Sequence, residues 1–392
     1  METSLKEKIR SYPKADLHVH LDGSIRLSTL IELAKEQKLT LPSYTEAGMR
    51  ELVFKDQYKD LPEYLQGFHY TCSVMQDLEA LERTAYEFAW DAYKDGVIYI
   101  EPRYSPELLK GEVLKSHEVI LAIDKGLKTA QQEINKEIDK KNIELEKARY
   151  PLHPPFVYSQ IICCMRMWEP SASLDTITSA VLTKDIHNLP IMGIDLAGPE
   201  SGFPAVDHVD AYVYAHKNFM YKTVHAGEAY GPSSIFQAIT NLYADRIGHG
   251  FHLFSTDLIN TRDPKKAQDY VDNLVQYIAE RRITLEVCLT SNLQTMPELK
   301  GDITKHTLPK MLEAGLSVAI CTDNTLVSNT TVTDELVLAA EKFNLDEKMI
   351  KRLIMYGIKR SFYPGSYLEK KKYIDMSSKY YDYLASGKIN SQ

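Results

Sequence analysis

Apolar segments alternate with polar ones along the whole chain, and the alternation has two different periods. Eight apolar segments are too short for helices and end at polar or turn residues, which is typical of buried strands. They lie at 14–24, 96–103, 158–166, 191–198, 222–228, 246–250, 283–292 and 316–324.

Segments with helical periodicity separate these predicted strands. The clearest are 78–93, 271–281 and 303–313, the last of which is followed by Gly315, a residue typical of helix C-termini. Continuous apolar strands that alternate with helices indicate a parallel sheet covered on both faces. Eight of them favour the α/β class and a closed (β/α)8 barrel of the TIM type, in a single domain over 1–392. A doubly wound open sheet is the alternative, but no GxGxxG or GxxxxGK[ST] motif follows any predicted strand.

Two long segments and the C-terminus depart from a minimal barrel. Residues 24–95 have a helical pattern with an aromatic-rich middle. An insertion after the first strand lies at the carboxyl end of the barrel, so we expect it to cover a pocket there or to pack against the barrel's side. Residues 131–150 are dense in charge and predict a solvated helical extension. Residues from about 365 to 392 predict C-terminal helices on the outside.

Composition and charge argue against some classes of partner. The chain has 46 basic and 54 acidic residues, a net charge of −8, which argues against nucleic acid or an anionic membrane as its partner. No apolar run approaches the roughly 20 residues of a membrane-spanning helix, and segment 1–14 has no apolar signal region. The five cysteines have no regular spacing, which is typical of a reducing compartment. We therefore expect a soluble, cytoplasmic protein.

The first predicted strand carries two histidines two residues apart, His18 and His20, with Asp22 just beyond them. Residues i and i+2 of a strand point to the same face, so both imidazoles are directed the same way. Taken alone, this pattern is more typical of structural histidines. In a barrel, however, the carboxyl ends of all strands meet at one site. The other strand ends carry Asp195 and Gly198, His225 and Glu228, His249, and Asp323 with Asn324.

This residue set predicts a metal centre. Three neutral imidazoles and one carboxylate suit Zn²⁺ and leave a position for water, whose pKa falls to about 7 on the metal. We assign these ligands to His18, His20, His225 and Asp323. Glu228 and His249 then remain as general acid and general base. A second metal would need a bridging group such as a modified lysine, and residues 191–199 contain no lysine, so we expect one zinc ion per chain.

Six short motifs follow one another along the chain. They are His18-Val19-His20-Leu21-Asp22-Gly23, Asp195-Leu196-Ala197-Gly198, His225-Ala226-Gly227-Glu228, Arg246-Ile247-Gly248-His249-Gly250, Ser291-Asn292 and Thr322-Asp323. In this order they resemble the adenosine deaminase family of the metal-dependent amidohydrolases, and the resemblance covers about 13–324. Any one of the motifs alone would be weak, but together they are specific.

The resemblance implies zinc-dependent hydrolysis of adenosine and 2′-deoxyadenosine to inosine and 2′-deoxyinosine, with release of ammonia. It implies that Glu228 protonates N1 of the purine, while His249 and Asp323 orient and help deprotonate the attacking water. The expected substrate-binding residues are His20, Asp22 (to the ribose), Gly198 (its N–H to purine N3) and Asn324. From the residues alone, Gly198 is equally a turn glycine and Asp22 equally a helix cap.

Asn324 departs from the commonest family pattern, Thr-Asp-Asp-Pro, since this chain reads Thr-Asp-Asn-Thr at 322–325. The second Asp of the family contacts purine N7, and the side-chain NH₂ of Asn324 can donate to the same atom. This departure leaves the substrate open among adenosine, adenine, adenosine monophosphate and a modified adenosine. Arg103 and Arg166 are candidates for holding a phosphate. The alternative outside the enzymes is a non-catalytic relative that binds the nucleoside.

Overall fold

The computed structural model describes residues 4–59 and 61–387, with the backbone alone at 61 and 62. The strands are β1 (Lys14–His20), β2 (Val97–Tyr104), β3 (Val157–Tyr158), β4 (Gln160–Met165), β5 (Ile191–Ala197), β6 (Tyr221–Ala226), β7 (Arg246–His249), β8 (Thr284–Val287) and β9 (Ser317–Ile320). Within the described residues, eight parallel strands form a nearly closed barrel in the order β1-β2-β4-β5-β6-β7-β8-β9, and β3 pairs with β2 beside it. The predicted (β/α)8 barrel is confirmed.

Asp323, three residues beyond the end of β9, connects the last strand to the first. The N–H of His20 donates to the carbonyl of Asp323 at 2.7 Å, and the N–H of Asp323 donates to the carbonyl of His18 at 2.8 Å. This contact closes the barrel at its carboxyl end. It also places the Asp323 side chain beside the two histidines of β1.

Helices connect the strands and cover the outside of the barrel. They are α1 (Leu5–Ser11), α2 (Leu27–Glu36), α3 (Glu46–Leu52), α4 (Leu61–Val74), α5 (Leu78–Lys94), α6 (Pro106–Leu109), α7 (Ser116–Lys147), α8 (Pro170–His187), α9 (Val209–Lys217), α10 (Pro232–Asn241), α11 (Pro264–Arg281), α12 (Leu289–Thr295), α13 (Leu308–Glu313), α14 (Val332–Lys342), α15 (Glu347–Arg360) and α16 (Tyr367–Ala385). Short 3-10 turns lie at Ala205–His208, Phe251–Phe254, Thr256–Leu258, Pro297–Leu299 and Ile303–Lys305. None of the described helices is long and apolar enough to cross a membrane.

Four helices, α2 to α5, occupy the segment between β1 and β2. The middle of this segment covers the carboxyl end of the barrel, since Leu65 and Phe68 of α4 line the same pocket as His225 and Glu228. Residues 24–95 were expected either to cover a pocket or to pack against the barrel's side, and α4 of this segment covers the pocket.

The charged segment 131–150 is helical as far as Lys147 and mostly exposed, as predicted, but it is not separate from the helix before it. It is the second half of α7, and its Ile134 and Ile138 are buried. Because residues four apart lie on one face of a helix, these two side chains continue the apolar stripe that packs α7 against α5. Only the remaining faces carry the exposed charges.

Two predicted elements end elsewhere than expected. The strand predicted at 283–292 stops at Val287, and α12 begins at Leu289, so Ser291 and Asn292 lie on a helix at the mouth of the barrel. The helix predicted at 303–313 is divided into a 3-10 turn and α13, with His306 between them. At the first of these places the apolar residues Val287, Cys288 and Leu289 continue from the strand into the helix, so the sequence pattern gives no sign of the boundary.

The C-terminal part of the chain is one long helix, α16, in which Tyr373 and Tyr381 are buried. The last residues of the expected C-terminal segment, 388–392, lie outside the described residues.

Candidate metal and catalytic site

Four side chains from opposite sides of the barrel converge at the carboxyl ends of the strands. One nitrogen or oxygen of each lies within 4.8 Å of those of the others, and all four residues, His18, His20, His225 and Asp323, are buried or nearly so. The Nε2 atoms of His18 and His20 lie 3.4 and 3.5 Å from Oδ1 of Asp323. Nε2 of His20 lies 3.2 Å from Nε2 of His225. The structure therefore brings the predicted ligand residues together.

Two residues at this end of the barrel have backbone conformations that residues other than glycine rarely adopt. His249 and Asp323 both have φ of +64°. Such strained conformations persist only where the surroundings hold them, and they concentrate at functional sites. The imidazole of His18 packs so closely against the backbone of residue 248 that only glycine fits there, because a Cβ on Gly248 would lie 2.9 Å from Cε1 of His18.

Two buried carboxylates orient the imidazoles from behind. Nδ1 of His18 lies 2.8 Å from Glu286, and Nδ1 of His225 lies 2.9 Å from Asp195. When Nδ1–H donates to a carboxylate, Nε2 is left as a lone pair directed at a metal, and the basicity of the ligand rises. Both histidines thus present Nε2 to the shared centre.

One guanidinium connects the two carboxylates. Arg103 donates to Asp195 at 2.7 Å, to Glu286 at 2.9 Å and to the carbonyl of Leu17 at 2.5 Å. Arg246 donates to the other oxygen of Glu286 at 2.6 Å. These buried ion pairs balance the carboxylates that face the histidines. The sequence reasoning missed Glu286, and its only signal was a charged residue inside an otherwise apolar strand.

The charge states suit a cation. Burial alone would raise the pKa of Asp323, but the surrounding imidazoles of His249, His18 and His20 hold it well below its usual range. At Asp195 burial also favours a higher pKa, but the nearby His225 and Arg103 hold the pKa of this carboxyl well below its usual range. Burial lowers the pKa of His20, so this imidazole is neutral. Nε2 of His18 has no hydrogen-bond partner among the described residues, although it is buried. Three imidazole nitrogens and one carboxylate, with such an unpaired atom among them, fit a tetrahedral Zn²⁺-type site.

His249, Cys288 and Asp323 form a second group within metal-ligand distance. Burial and the nearby Asp323 raise the pKa of the Cys288 thiol well above its usual value. A neutral thiol is a poor metal ligand, because the thiolate is the form that binds. The first group is therefore the better candidate.

His249 faces Glu228 across the centre, with Nε2 3.8 Å from Oε1 of the carboxylate. A chain of hydrogen bonds fixes the protonation of its ring. The backbone N–H of Leu308 donates to Nδ1 of His306 at 2.9 Å, so His306 carries its proton on Nε2 and donates to Oδ1 of Asn292 at 3.1 Å. The amide of Asn292 then donates from Nδ2 to Nδ1 of His249 at 3.2 Å. Since the chain starts from a backbone N–H, the neutral His249 has its proton on Nε2.

A cavity of about 470 Å³ opens beside this centre. Its wall contains the predicted substrate residues His20, Asp22 and Gly198 together with Leu65, Phe68, Cys72, Leu108, Met165 and Met167, and it is largely apolar. A smaller pocket that shares His20 and Gly198 leads to Glu228, His249, Asp323 and Asn324. Every predicted site residue except the fully buried His18 therefore lines this space.

Two oxygens along the cavity wall are buried and have no hydrogen-bond partner within the described part of the chain: Oδ1 of Asp22 and Oδ1 of Asn324. Burial raises the pKa of Asp22 to about 7. Nδ2 of Asn324 donates to the hydroxyl of Tyr64 at 2.7 Å, and that hydroxyl lies 2.8 Å from Ser328. Gly23 allows this packing, because a Cβ there would lie 1.9 Å from Oδ1 of Asn324.

The two arginines considered for phosphate binding are both engaged inside the protein. Arg103 is fully buried in the ion pairs described above. Arg166 is 2 % exposed and donates to the carbonyls of Phe203, Leu196 and His225. No lysine or arginine stands among the described residues that line the cavity or the smaller pocket.

A parallel barrel with a buried His and Asp cluster at the carboxyl ends of its strands defines a metal-dependent hydrolase of the amidohydrolase type. The model of the adenosine deaminase family matches residues 13–379, and the chain belongs to that family.

Two relatives agree with this assignment, and a solved structure shares the fold. A probable adenosine deaminase of Dictyostelium discoideum is 36% identical over 90% of this chain, which spans only 41% of that relative's length. The adenosine deaminase of Xenopus tropicalis is 34% identical over 94% of this chain and 95% of its own. The fold is shared by an amidohydrolase from Burkholderia ambifaria solved with bound Zn, with a TM-score of 0.78 at 19% identity over 99% of this chain and 96% of that one.

Proposed function

We propose that this chain is a zinc-dependent adenosine aminohydrolase that converts adenosine and 2′-deoxyadenosine to the corresponding inosines and ammonia. The observation that carries the proposal is the position of Glu228 and His249. They face each other beside a metal-type cluster, at the end of an apolar cavity large enough for a nucleoside. Relatives named adenosine deaminase support the same reaction.

His18, His20, His225 and Asp323 would hold the metal, one ion per chain. Bound there, Zn²⁺ would supply Lewis acidity and a water whose pKa is lowered to about 7. The metal in the Burkholderia structure supports this choice of ion.

The side chains of this protein then divide the proton transfers. Glu228 donates a proton to N1 of the purine, which makes C6 electrophilic. His249 carries its proton on Nε2 and donates a hydrogen bond to the oxygen that attacks C6, whereas Asp323 accepts the proton which that oxygen loses. Water adds at C6, and the proton that Asp323 has accepted passes to the 6-amino group, which leaves as ammonia. The C6 hydroxyl loses its proton to Glu228 as the carbonyl forms, so the atoms balance. Well-placed proton donors and acceptors of this kind contribute about 10²–10⁴-fold to a rate.

The cavity supports a nucleoside as the substrate. Its apolar wall at Phe68, Leu65 and Met167 suits a purine, and the unpaired oxygen of Asp22 suits a ribose hydroxyl donor. Gly198 lies on the same wall, and its N–H would donate to N3. Free adenine would leave the volume around Asp22 empty. A monophosphate would bring a dianion into a cavity whose described lining has no lysine or arginine, and an uncompensated buried charge is costly.

Ammonia release from adenosine, 2′-deoxyadenosine, adenine and adenosine monophosphate tests the proposal, with Glu228→Gln as the inactive control. We expect kcat/KM for the two nucleosides to exceed that for the other two substrates by at least about 10³-fold. The monophosphate would bring an uncompensated charge into the site, and adenine would leave the Asp22 carboxyl unpaired. A preference for adenine or the monophosphate would overturn the substrate assignment. Tight adenosine binding without any ammonia release would show a non-catalytic binding protein instead.

A further inference from the structure

Glu200 lies three residues beyond the end of β5 and is only 1 % exposed. Its carboxylate accepts hydrogen bonds from four consecutive backbone N–H groups, those of residues 227, 228, 229 and 230, at 3.0, 3.0, 2.6 and 3.1 Å. The hydroxyl of Ser234 donates to it as well, at 2.5 Å. The carboxylate is therefore surrounded by donors of the β6–α10 loop at 227–231 and of the first turn of α10.

This arrangement uses the full hydrogen-bonding capacity of a carboxylate. An ionised carboxylate has about four acceptor sites, and hydrogen bonds to a charged acceptor are about twice as strong as neutral ones. Successive backbone N–H groups that converge on one anion form a concave nest. Glu200 thus fixes the backbone of this loop from inside the protein.

The other side of the loop is fixed too. Gly227 has φ of +72°, and a Cβ there would lie 2.6 Å from Cδ1 of Ile235. The N–H of His252 donates to the carbonyl of Gly227 at 2.8 Å, and the N–H of Gly202 donates to the hydroxyl of Tyr230 at 2.6 Å. The one side chain of the loop that enters the smaller pocket is Glu228.

We propose that Glu200 is a positioning residue that holds the proton-donating carboxyl of Glu228 at the purine edge. Glu200 does not line either cavity, so it acts through the loop and not on the substrate. The inference rests on the proposed function, because it takes Glu228 as the proton donor. Misplacement of a reacting group by about 1 Å costs on the order of 10²-fold in rate, and this sets the size of the expected effect.

Glu200→Gln tests the proposal. The amide keeps the size of the side chain but replaces one acceptor oxygen with an NH₂ that faces N–H donors. We expect kcat on adenosine to fall by about 100-fold with KM within about threefold. Metal content should be unchanged, and amide hydrogen exchange at 227–230 should accelerate. A folded variant with kcat within threefold of the wild type, or one that has lost its metal, would overturn the proposal.

Two further variants separate positioning from general damage. Asp124→Asn makes the same carboxylate-to-amide change at another buried carboxylate, which bonds to Tyr158 and Gln160 outside the loop, and we expect kcat to stay within about threefold. In a Glu228→Gln background, Glu200→Gln should cause no further loss of the residual rate, because its effect passes through Glu228. A further loss in that background as large as in the wild type would contradict the proposal.

Glu200→Asp covers the case in which Glu200→Gln does not fold. It keeps the charge and retracts it by one methylene, and we expect an intermediate loss of kcat of about tenfold with faster exchange at 227–230. Unchanged exchange would overturn the role of Glu200. A wild type that releases no ammonia from adenosine would instead contradict the proposed function, and the exchange measurement would still report whether Glu200 holds the loop.

Discussion

The imidazole of His225 donates from Nδ1 to the carboxylate of Asp195, with its two oxygens at 2.9 and 3.1 Å. This contact fixes both the rotation and the tautomer of a residue that we propose as a metal ligand. The same carboxylate is held by Arg103, so the orientation of His225 depends on charged groups that never touch the metal.

Replacement of Asp195 by Asn should weaken metal binding. The amide cannot stabilise Nδ1–H as a carboxylate does, and loss of such a partner typically costs 10–100-fold in metal affinity. Competition between the protein and a chelator measures the affinity. Asp124→Asn removes a buried carboxylate that bonds to Tyr158 and Gln160 instead, and should leave the affinity unchanged. Equal affinities for Asp195→Asn and the wild type would contradict the orienting role.

Asn292→Leu should lower kcat by about 10–100-fold, because the hydrogen bond that keeps the His249 proton on Nε2 is lost. ¹⁵N chemical shifts of His249 report the tautomer directly, and in the wild type Nε2 should carry the proton. Thr295→Val alters the same helix, α12, without contact to an imidazole and serves as the control. A wild-type ring protonated on Nδ1 would rule out the assigned chain of donors.

Asn324→Asp should remain active but bind adenosine about tenfold more weakly above neutral pH. An ionised carboxylate cannot donate a hydrogen bond to purine N7, and the loss of one such bond costs on the order of 1 kcal/mol. One N–H of the Asn324 amide donates to the hydroxyl of Tyr64, and the second can donate to purine N7. 7-Deazaadenosine lacks the N7 acceptor, so KM for this analogue should not differ between the two proteins. An equal loss on both substrates would show that Asn324 does not contact N7.

Glu335 should make the stability of the protein depend on pH. Burial raises its pKa from 4.5 to about 7. The folded state then keeps a proton that the unfolded state has lost, so the stabilisation is fully present below about pH 4.5 and disappears as pH rises through 7. Relative to Glu335→Gln, the wild type should lose about 3 kcal/mol of unfolding free energy between pH 4.5 and 8.5.

Urea unfolding of both proteins at several pH values measures this difference. Glu313→Gln, at an exposed position of α13, should show no such dependence. A constant difference between wild type and Glu335→Gln across this range would mean that Glu335 is ionised throughout.

The sequence predicted the barrel and the ligand residues for one physical reason. The carboxyl ends of parallel strands meet, so residues such as His18, His225 and Asp323 can be placed together from their positions at predicted strand ends alone. The boundary of β8 could not be placed, because the apolar pattern of 284–289 runs from a strand into a helix.

The residues behind the ligands were beyond this reasoning. Arg103 and Glu286 meet only when the barrel closes, and no spacing along the chain connects positions 183 residues apart. His306 acts through a backbone N–H and an amide, in a segment that the pattern assigned to a helix. Glu200 follows a strand by three residues and had no pattern that distinguished it from an ordinary loop acid.

The most direct test of the account is the rate of inosine formation from adenosine by chelator-treated protein titrated with Zn²⁺. We predict no activity in the metal-free protein and a linear rise that saturates at one Zn²⁺ per chain. A metal-free protein that deaminates adenosine at the full rate would contradict the proposed zinc-dependent reaction.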